Sequence, residues 1–183
     1  VFRFKLEGLC ALFHKHIIFN YMETDLDKKI GGVLEEADRM FLATSVGGNS
    51  SGASVFFSRD GDDLIFFTFN PTRKAEQIRI NPRVHAVIWP KGQEGIKGLQ
   101  IDGECYQIKD SQEIEKAYEK ILETTDAFKE FMDDEFLKEN KVVGYYRIKP
   151  TTIKYVDFHQ EEKFEWKTFP HNKSSAIKFI LKL

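Results

Sequence analysis

The chain has 183 residues, of which 27 are Lys or Arg and 29 are Asp or Glu, so its formal net charge at pH 7 is −2. This balance gives no excess of positive charge for binding nucleic acid or an acidic membrane surface. No stretch approaches the roughly 20 apolar residues that a membrane-spanning helix requires. The composition therefore predicts a globular protein with no nucleic-acid or membrane partner.

The two cysteines, Cys10 and Cys105, are too few for a disulfide framework and have no metal-ligand spacing. We therefore expect a protein of the reducing cytoplasm with no metal site. The ends of the chain differ from its middle, because residues 1–21 lack the apolar core of a signal peptide and precede a start-like Met22. We expect residues 1–21 to be a non-native or disordered extension, 22–170 to form one domain and 171–183 to be a C-terminal tail.

In the first half of the chain, apolar residues at helical spacing predict a helix over Asp25–Asp38. Thr72–Ile80 is predicted as a second, short helix that Asn81-Pro82 ends. Between them, turns rich in Gly and Asp separate three predicted strands, Met40–Val46, Ala53–Ser58 and Leu64–Phe69, which form a meander.

In the second half, residues Ser111–Asn140 are predicted to be helical, with a second helix over 126–139. The predicted strands are Val84–Trp89, Leu99–Ile108, Val142–Ile148, Thr152–Asp157 and Lys163–Phe169, and Lys149-Pro150 is expected to separate the third from the fourth. This succession of short strands, with the helices inserted late, predicts a mainly β (α+β) protein built on a closed antiparallel barrel.

The segment from Phe67 to Lys74 has the most specific chemistry, because it is a predicted strand end, a turn and a helix start with two adjacent cations. The free N–H groups and the positive dipole end of a helix start favour a phosphate. Arg73 offers a bidentate fork, Lys74 a point charge, and Thr68 and Thr72 offer hydroxyl groups. These residues predict a phosphomonoester site, and the alternative is a solvated helix start.

This stretch resembles the flavin-phosphate motif of the pyridoxamine 5′-phosphate oxidase superfamily, whose members are FMN-binding split β-barrels. The matching elements are Phe67-Thr68, Thr72-Arg73-Lys74 and Asn81-Pro82-Arg83-Val84, in the same order. The resemblance implies an antiparallel split β-barrel with flanking helices over residues 22–170. It also implies that Arg73 and Lys74 hold the phosphate of FMN, and that Phe67 and Thr68 line its ribityl chain or ring.

Further residues follow from the same resemblance. The flavin-contacting strand of the family falls on Gly52–Phe57, where its leading Arg is Gly52 and its final basic residue is Phe57, so only backbone contacts from Ala53, Ser54 and Val55 carry over. Val55 and Phe57 have an alternative role as core residues. Gln100 resembles a strand Gln of the family that contacts the flavin edge, and Trp166 resembles its late Trp.

The resemblance implies an FMN-dependent oxidoreductase that uses a small-molecule substrate or electron donor and forms a homodimer with flavin at the interface. The acidic stretch Asp110–Asn140 stands where the family's namesake enzyme has a second basic cluster, so pyridoxamine phosphate is not the expected substrate. One alternative is a non-catalytic flavin- or haem-binding stress or sensor protein, with His85 or His159 as the haem ligand. Another is a reductase that uses the deazaflavin F420.

Overall fold

The computed structural model describes residues 24–124, 143–160 and 164–169, which contain three helices and seven strands. The predicted helix over 126–139, the extension at 1–21 and the tail at 171–183 lie outside the described residues. The helices are α1 (Asp25–Glu36), α2 (Arg73–Ile80) and α3 (Ser111–Thr124). The strands are β1 (Arg39–Val46), β2 (Asn49–Asp60), β3 (Asp63–Phe69), β4 (Arg83–Ile88), β5 (Lys97–Gln107), β6 (Val143–Asp157) and β7 (Phe164–Thr168).

The strands form one antiparallel sheet in the order β3-β2-β1-β4-β5-β6-β7. β3 also pairs with the first half of β6, so six strands close into a barrel and β7 extends it along the second half of β6. Gly47 and Gly48 make the turn between β1 and β2 with φ of 57° and 81°, which glycine adopts without steric cost. The predicted antiparallel barrel with flanking helices is confirmed.

The main apolar core fills the barrel, because alternate residues of its strands point inward. Val55 and Phe57 of β2 belong to this core, so their role as inward-pointing residues is confirmed. α1 contributes its apolar stripe, Ile30, Val33 and Leu34, to the same core. The three helices of the described ranges include none that is long and apolar enough to cross a membrane.

A second, smaller apolar cluster lies between the outer surface of the barrel and α3. Ala117, Tyr118 and Ile121 of α3 pack there against strand residues. These strand residues alternate with those of the main core, so they lie on the outer face of the barrel. The strand residues of this cluster are Ile65, Phe67, Tyr145 and the partly buried Phe56 and Val143. β3 is therefore buried on both faces, which explains why it is a continuous apolar run rather than an alternating one.

The expectation of two strands separated at Lys149-Pro150 is wrong, because β6 continues from Val143 to Asp157. One edge of β6 pairs with β3 up to Ile148 and then with β7 from Thr152 onward. Pro150 lies at this change of partner, where a residue without an N–H group does not interrupt either ladder. On its other edge, β6 pairs with β5 from Tyr146 to Asp157, with one register shift between Asp102 and Gly103.

Two ion pairs attach β7 to α1. Lys29 Nζ lies 2.7 Å from Glu165 Oε1, and Lys167 Nζ lies 2.7 Å from Asp27 Oδ1. Asp27 also closes the capping box of α1 with Thr24. The hydrogen bond from Lys167 lowers the pKa of Asp27 to about 2. Since the ordinary value is 3.8, the charged carboxylate favours the folded state.

We expect Asp27→Asn to lower the free energy of unfolding by about 1 to 2 kcal/mol at pH 7, because it removes the negative charge that pairs with Lys167 and that favours the N-terminus of α1. Because the folded pKa lies below the unfolded one, the contribution is complete above about pH 4 and is lost as the pH falls towards 2. Urea unfolding at pH 7 and pH 3 measures this difference. Asp25→Asn is the control, since the Asp25 side chain is 82% exposed. An Asp27→Asn effect that stays constant with pH would contradict this assignment.

Candidate functional site

The turn from β3 into α2 is held at Asn70. The Tyr146 hydroxyl donates a hydrogen bond to Asn70 Oδ1 at 2.9 Å, and the Asn70–Pro71 peptide bond is cis. Gly144 of β6 lies beneath this turn, where an added Cβ would come within 2.5 Å of Asn70 Nδ2. β6 thus positions the residues that lead into α2, which sequence analysis did not identify because Tyr146 lies far away in the chain.

α2 begins at Arg73, one residue after the predicted start, and Thr72 is its N-cap, with the Thr72 hydroxyl accepting a hydrogen bond from Ala75 N at 3.4 Å. Arg73 is exposed and Lys74 is half-buried in the first turn. Burial lowers the pKa of Lys74. In the part of the chain that the structure describes, neither cation forms an ion pair or a side-chain hydrogen bond. A bound anion would offset the cost of burying Lys74 and would complete the hydrogen bonding of Arg73.

The buried amide of Gln77 anchors α2 to the β1–β2 hairpin. Gln77 Oε1 accepts hydrogen bonds from Thr44 Oγ1 at 2.6 Å and Ser51 Oγ at 2.9 Å, and its Nε2 donates to the Asn49 carbonyl at 2.9 Å. At the C-terminal end of α2, Asn81 Nδ2 donates to the Ser45 carbonyl at 2.9 Å. The same hairpin therefore holds the middle and the C-terminal end of α2, and the helix is fixed relative to β2.

The ladder between β2 and β3 is short, and this opens the barrel wall beside the start of α2. It runs from Phe57 paired with Phe66 to Asp60 paired with Asp63, although β2 begins at Asn49. The predicted flavin-contacting residues Ala53, Ser54 and Val55 pair with β1 but lie outside the β2–β3 ladder. Their backbone at this edge is therefore available for contacts with a ligand.

The two predicted residues of β3 lie on opposite faces of the strand. Phe67 is in the cluster beneath α3, with its ring 6.3 Å from the ring of Tyr145, and Thr68 is buried on the face that points into the barrel. Both come directly before the turn that leads to Arg73 and Lys74. Their side chains are packed inside the protein, and their part in holding a ligand stays a prediction.

The outer surface of the barrel brings three further predicted residues into one cross-strand row. Ser54, Gln100 and Trp166 all point outward. The first and the last of them are more than a hundred residues apart in the chain. Residues that sequence analysis did not select complete the row, which in strand order is Ser54, Phe41, Val87, Gln100, Lys154 and Trp166. Four strands separate Ser54 from Trp166, so the row joins them as a surface rather than as one contact site.

A histidine and a carboxylate form a pair in the neighbouring row of this outer surface. His85 Nδ1 lies 2.8 Å from Asp102 Oδ1, across the β4–β5 ladder. The contact fixes the ring through Nδ1 and leaves Nε2 directed away from Asp102. Among residues 24–124, 143–160 and 164–169, no group of three or more His, Cys, Asp or Glu side chains is arranged to hold a metal ion.

Residues 26–157 of the chain match the family model of pyridoxamine 5′-phosphate oxidase. The chain belongs to the pyridoxamine 5′-phosphate oxidase family. The matched range includes all but the first residue of α1, the six barrel strands, and α2 with the Arg73-Lys74 pair. The relationship predicted from the motif around Phe67–Lys74 is thus confirmed. A comparison with curated proteins gives no significant match.

Solved structures share the family fold with this chain. General Stress Protein 26 from Bacillus anthracis has a TM-score of 0.59 at 19% identity, over 80% of this chain and 100% of that one. An FAD-binding protein from Mesorhizobium loti has a TM-score of 0.57 at 19% identity, over 71% and 91%. A heme binding protein from Mycobacterium smegmatis has a TM-score of 0.63 at 13% identity, over 76% and 56%. At these identities the similarity establishes the fold.

We expect Gln77→Met to lower the free energy of unfolding by about 1 to 3 kcal/mol, because it removes the amide to which the Thr44 hydroxyl, the Ser51 hydroxyl and the Asn49 carbonyl are hydrogen-bonded. Urea unfolding at pH 7 measures the loss. Glu76→Met is the matched control on the exposed face of α2 and should change stability by about 0.5 kcal/mol or less. Equal effects of the two substitutions would show that the amide network does not hold α2.

Proposed function

We propose that this family member binds FMN and acts as an FMN-dependent oxidoreductase. The observation that carries the proposal is the pair of adjacent cations, Arg73 and Lys74, in the first turn of α2, for which the structure gives no side-chain partner within the described residues. The anchored helix start, the short β2–β3 ladder and the family match support a phosphate ligand with an attached ring system. The fold relative that is named as FAD-binding supports a flavin.

In this proposal, each part of the site has a distinct task. Arg73 and Lys74 bind the phosphate, and the hydroxyl of Thr72 caps the helix whose N–H groups also face it. The backbone of Ala53, Ser54 and Val55 binds along the ring, and Gln100 contacts its edge. Phe67 and Thr68 support the ribityl chain. When bound, the flavin supplies the hydride chemistry, and the protein supplies binding and orientation.

The substrate is proposed to lack a phosphate group. The described part of the region expected to hold a second basic cluster is α3, which instead carries exposed acids, Glu113, Glu115, Glu119 and Glu123. These carboxylates would repel a second phosphate. Pyridoxamine phosphate is accordingly not the proposed substrate, and a small molecule without a phosphate group is the proposed electron donor or acceptor.

A homodimer is the proposed assembly, because aromatic side chains are exposed along the outer surface of the barrel. Phe41, Phe158, Phe164 and Trp166 are each more than 40% exposed. Exposed apolar surface of this kind is commonly covered by a partner. We also propose a cytoplasmic location, for which Cys105, a buried free thiol, is the supporting observation.

We expect Arg73→Ala/Lys74→Ala to weaken FMN binding by about a hundredfold or more, since each charged hydrogen-bonding group contributes about 1.5 to 3 kcal/mol. Riboflavin, which lacks the phosphate, should lose little affinity. Flavin fluorescence quenching measures both. Arg79→Ala is the matched control, because Arg79 is an exposed cation in the last turn of the same helix. If the double variant keeps its affinity for FMN, the phosphate site has been assigned to the wrong residues.

Haem binding is the second candidate function, and the His85–Asp102 pair favours it. A histidine that ligates a metal through one nitrogen commonly donates its other N–H to a carboxylate. His85 has this arrangement, and a fold relative is named as a heme binding protein. His159, the other histidine proposed as a ligand, is exposed beyond the end of β6.

We expect hemin titration to separate the candidates. If haem binding is the function, hemin gives a sharp Soret band with submicromolar affinity that His85→Ala abolishes and His159→Ala does not. If FMN binding is the function, the hemin spectrum stays that of free hemin. A competition between FMN and F420 for the same protein tests the deazaflavin alternative, since both ligands would use Arg73 and Lys74.

A further inference from the structure

A cavity lies beside α2, between this helix, the last residues of β5 and the first residues of β6. Its volume is about 610 Å³, within the range of roughly 300 to 1,000 Å³ that is typical of small-molecule sites. Arg73 and Lys74 do not line it, and neither does Gln77, which is bonded to the β1–β2 hairpin. The cavity is therefore on another side of α2, where the lining residues of the helix are Ala75, Glu76, Ile78 and Arg79.

The floor of the cavity is apolar and fixed. The Tyr146 ring stacks on the Phe66 ring with centroids 5.3 Å apart, and Cys105 N donates a hydrogen bond to the Pro82 carbonyl at 2.7 Å. An apolar group that covers this floor is therefore removed from water without reordering of the protein. The residues of the floor are buried members of the main core, namely Ala75, Ile78, Cys105 and Tyr146.

The rim of the cavity carries the charged residues of the lining, Glu76, Arg79 and Lys109. All three side chains are exposed. Within residues 24–124, 143–160 and 164–169, none of the three forms an ion pair or a side-chain hydrogen bond. Of the described acidic residues of α3, none lines the cavity. Two cations and one carboxylate leave the lining with one excess positive charge at pH 7.

A further carboxylate, that of Glu104, approaches the lining through Tyr106. The Tyr106 hydroxyl donates a hydrogen bond to Glu104, which is not itself a lining residue. In the strand register Glu104 lies between Arg83 on β4 and Lys149 on β5's other neighbour, β6. Glu104 thus has a cation on each neighbouring strand, and the excess positive charge of the cavity rim remains.

The apolar floor and the charged rim together favour a ligand with an apolar body and one negative charge. A carboxylate can accept hydrogen bonds from the guanidinium of Arg79 and the ammonium of Lys109. A doubly charged phosphate would bring a second negative charge towards Glu76, which repels it. A single benzene ring needs a cavity of only about 150 Å³, so the space accommodates a larger apolar body.

We propose that this cavity is a second ligand-binding site, separate from the proposed flavin site, and that it binds an apolar monocarboxylate. The apolar body covers the floor formed with Ile78 and Cys105, and the carboxylate lies at the rim, where Arg79 and Lys109 attract it. The proposal does not rest on the FMN-dependent function, because no residue assigned to the flavin lines this cavity.

The direct test uses two fluorinated ligands of similar shape that differ in charge, 6-fluoro-2-naphthoate and 6-fluoro-2-naphthamide, observed by ¹⁹F NMR titration of the protein at pH 7. We expect the naphthoate to bind saturably with a Kd on the order of 0.1 to 1 mM, as suits a fragment of this size. The amide should bind about fivefold more weakly or worse, because it has no charge to pair with the two cations. Equal binding of both ligands, or no binding of the naphthoate, would overturn the proposal.

Substitutions of exposed charged residues locate the binding. Arg79 and Arg73 are both exposed arginines of α2, but only Arg79 lines the cavity. We expect Arg79→Gln and Lys109→Gln each to raise the Kd of the naphthoate about threefold or more, and Arg73→Gln to change it by less than about twofold. Glu76→Gln should lower the Kd about twofold, because it removes the negative charge of the lining. Exposed substitutions of this kind leave the fold intact.

Three outcomes separate this proposal from its alternatives. If Arg73→Gln weakens naphthoate binding as much as Arg79→Gln does, the ligand occupies the proposed phosphate site and the second site is wrong. If Glu76→Gln raises the Kd of the naphthoate, the charge assigned to the rim is wrong and the proposal fails. If the naphthoate binds with the expected variant pattern but FMN does not bind, the proposed flavin function is wrong and the second site stands.

Discussion

The buried amide of Gln77 is the interaction on which the candidate site depends. α2 has eight residues, too few to hold its conformation or position without tertiary contacts. The three side-chain hydrogen bonds of Gln77 tie it to Thr44, Ser51 and Asn49 of the β1–β2 hairpin. α2 and the β1–β2 hairpin are consequently held together, and a ligand that bridges them finds both in place.

The closure of the barrel by β6 positions the turn that precedes α2. β6 closes the barrel through its pairing with β3, and Tyr146 of β6 fixes Asn70 in the turn before α2. The same strand continues past Pro150 to pair with β7, which carries the aromatic residues of the outer surface. One long strand thus connects the turn beside the proposed phosphate site with the exposed aromatic residues of β7.

Much of the fold could be predicted from the sequence because its signals are local. Thr72 before Arg73, the Gly47-Gly48 turn and the alternation of Val55 and Phe57 each depend on neighbouring residues. The continuity of β6 could not be predicted, since it depends on which strands pair with its edge on either side of Pro150.

The residues of the candidate site also differ in whether a local sequence signal indicates them. Arg73 and Lys74 were selected because they are adjacent in a motif, and Ser54 and Gln100 because the resemblance to the family places them on strands; their role in binding stays a prediction. Gln77 was missed, although a polar residue beside the apolar Ala75 and Ile78 of a helix was a usable signal. Phe41 and Val87 could be assigned to this surface only from the strand register, which places them between Ser54 and Gln100.

The most direct test of the phosphate site is ³¹P NMR of FMN in the presence of the protein, followed from pH 7.5 to pH 5. Free phosphomonoesters take up a proton near pH 6, and their resonance shifts as they do so. If Arg73 and Lys74 bind the phosphate, its resonance will broaden on binding and will stay that of the dianion down to about pH 5, because the two cations favour the charged form. A resonance that keeps its free line width and titrates near pH 6 would contradict the account.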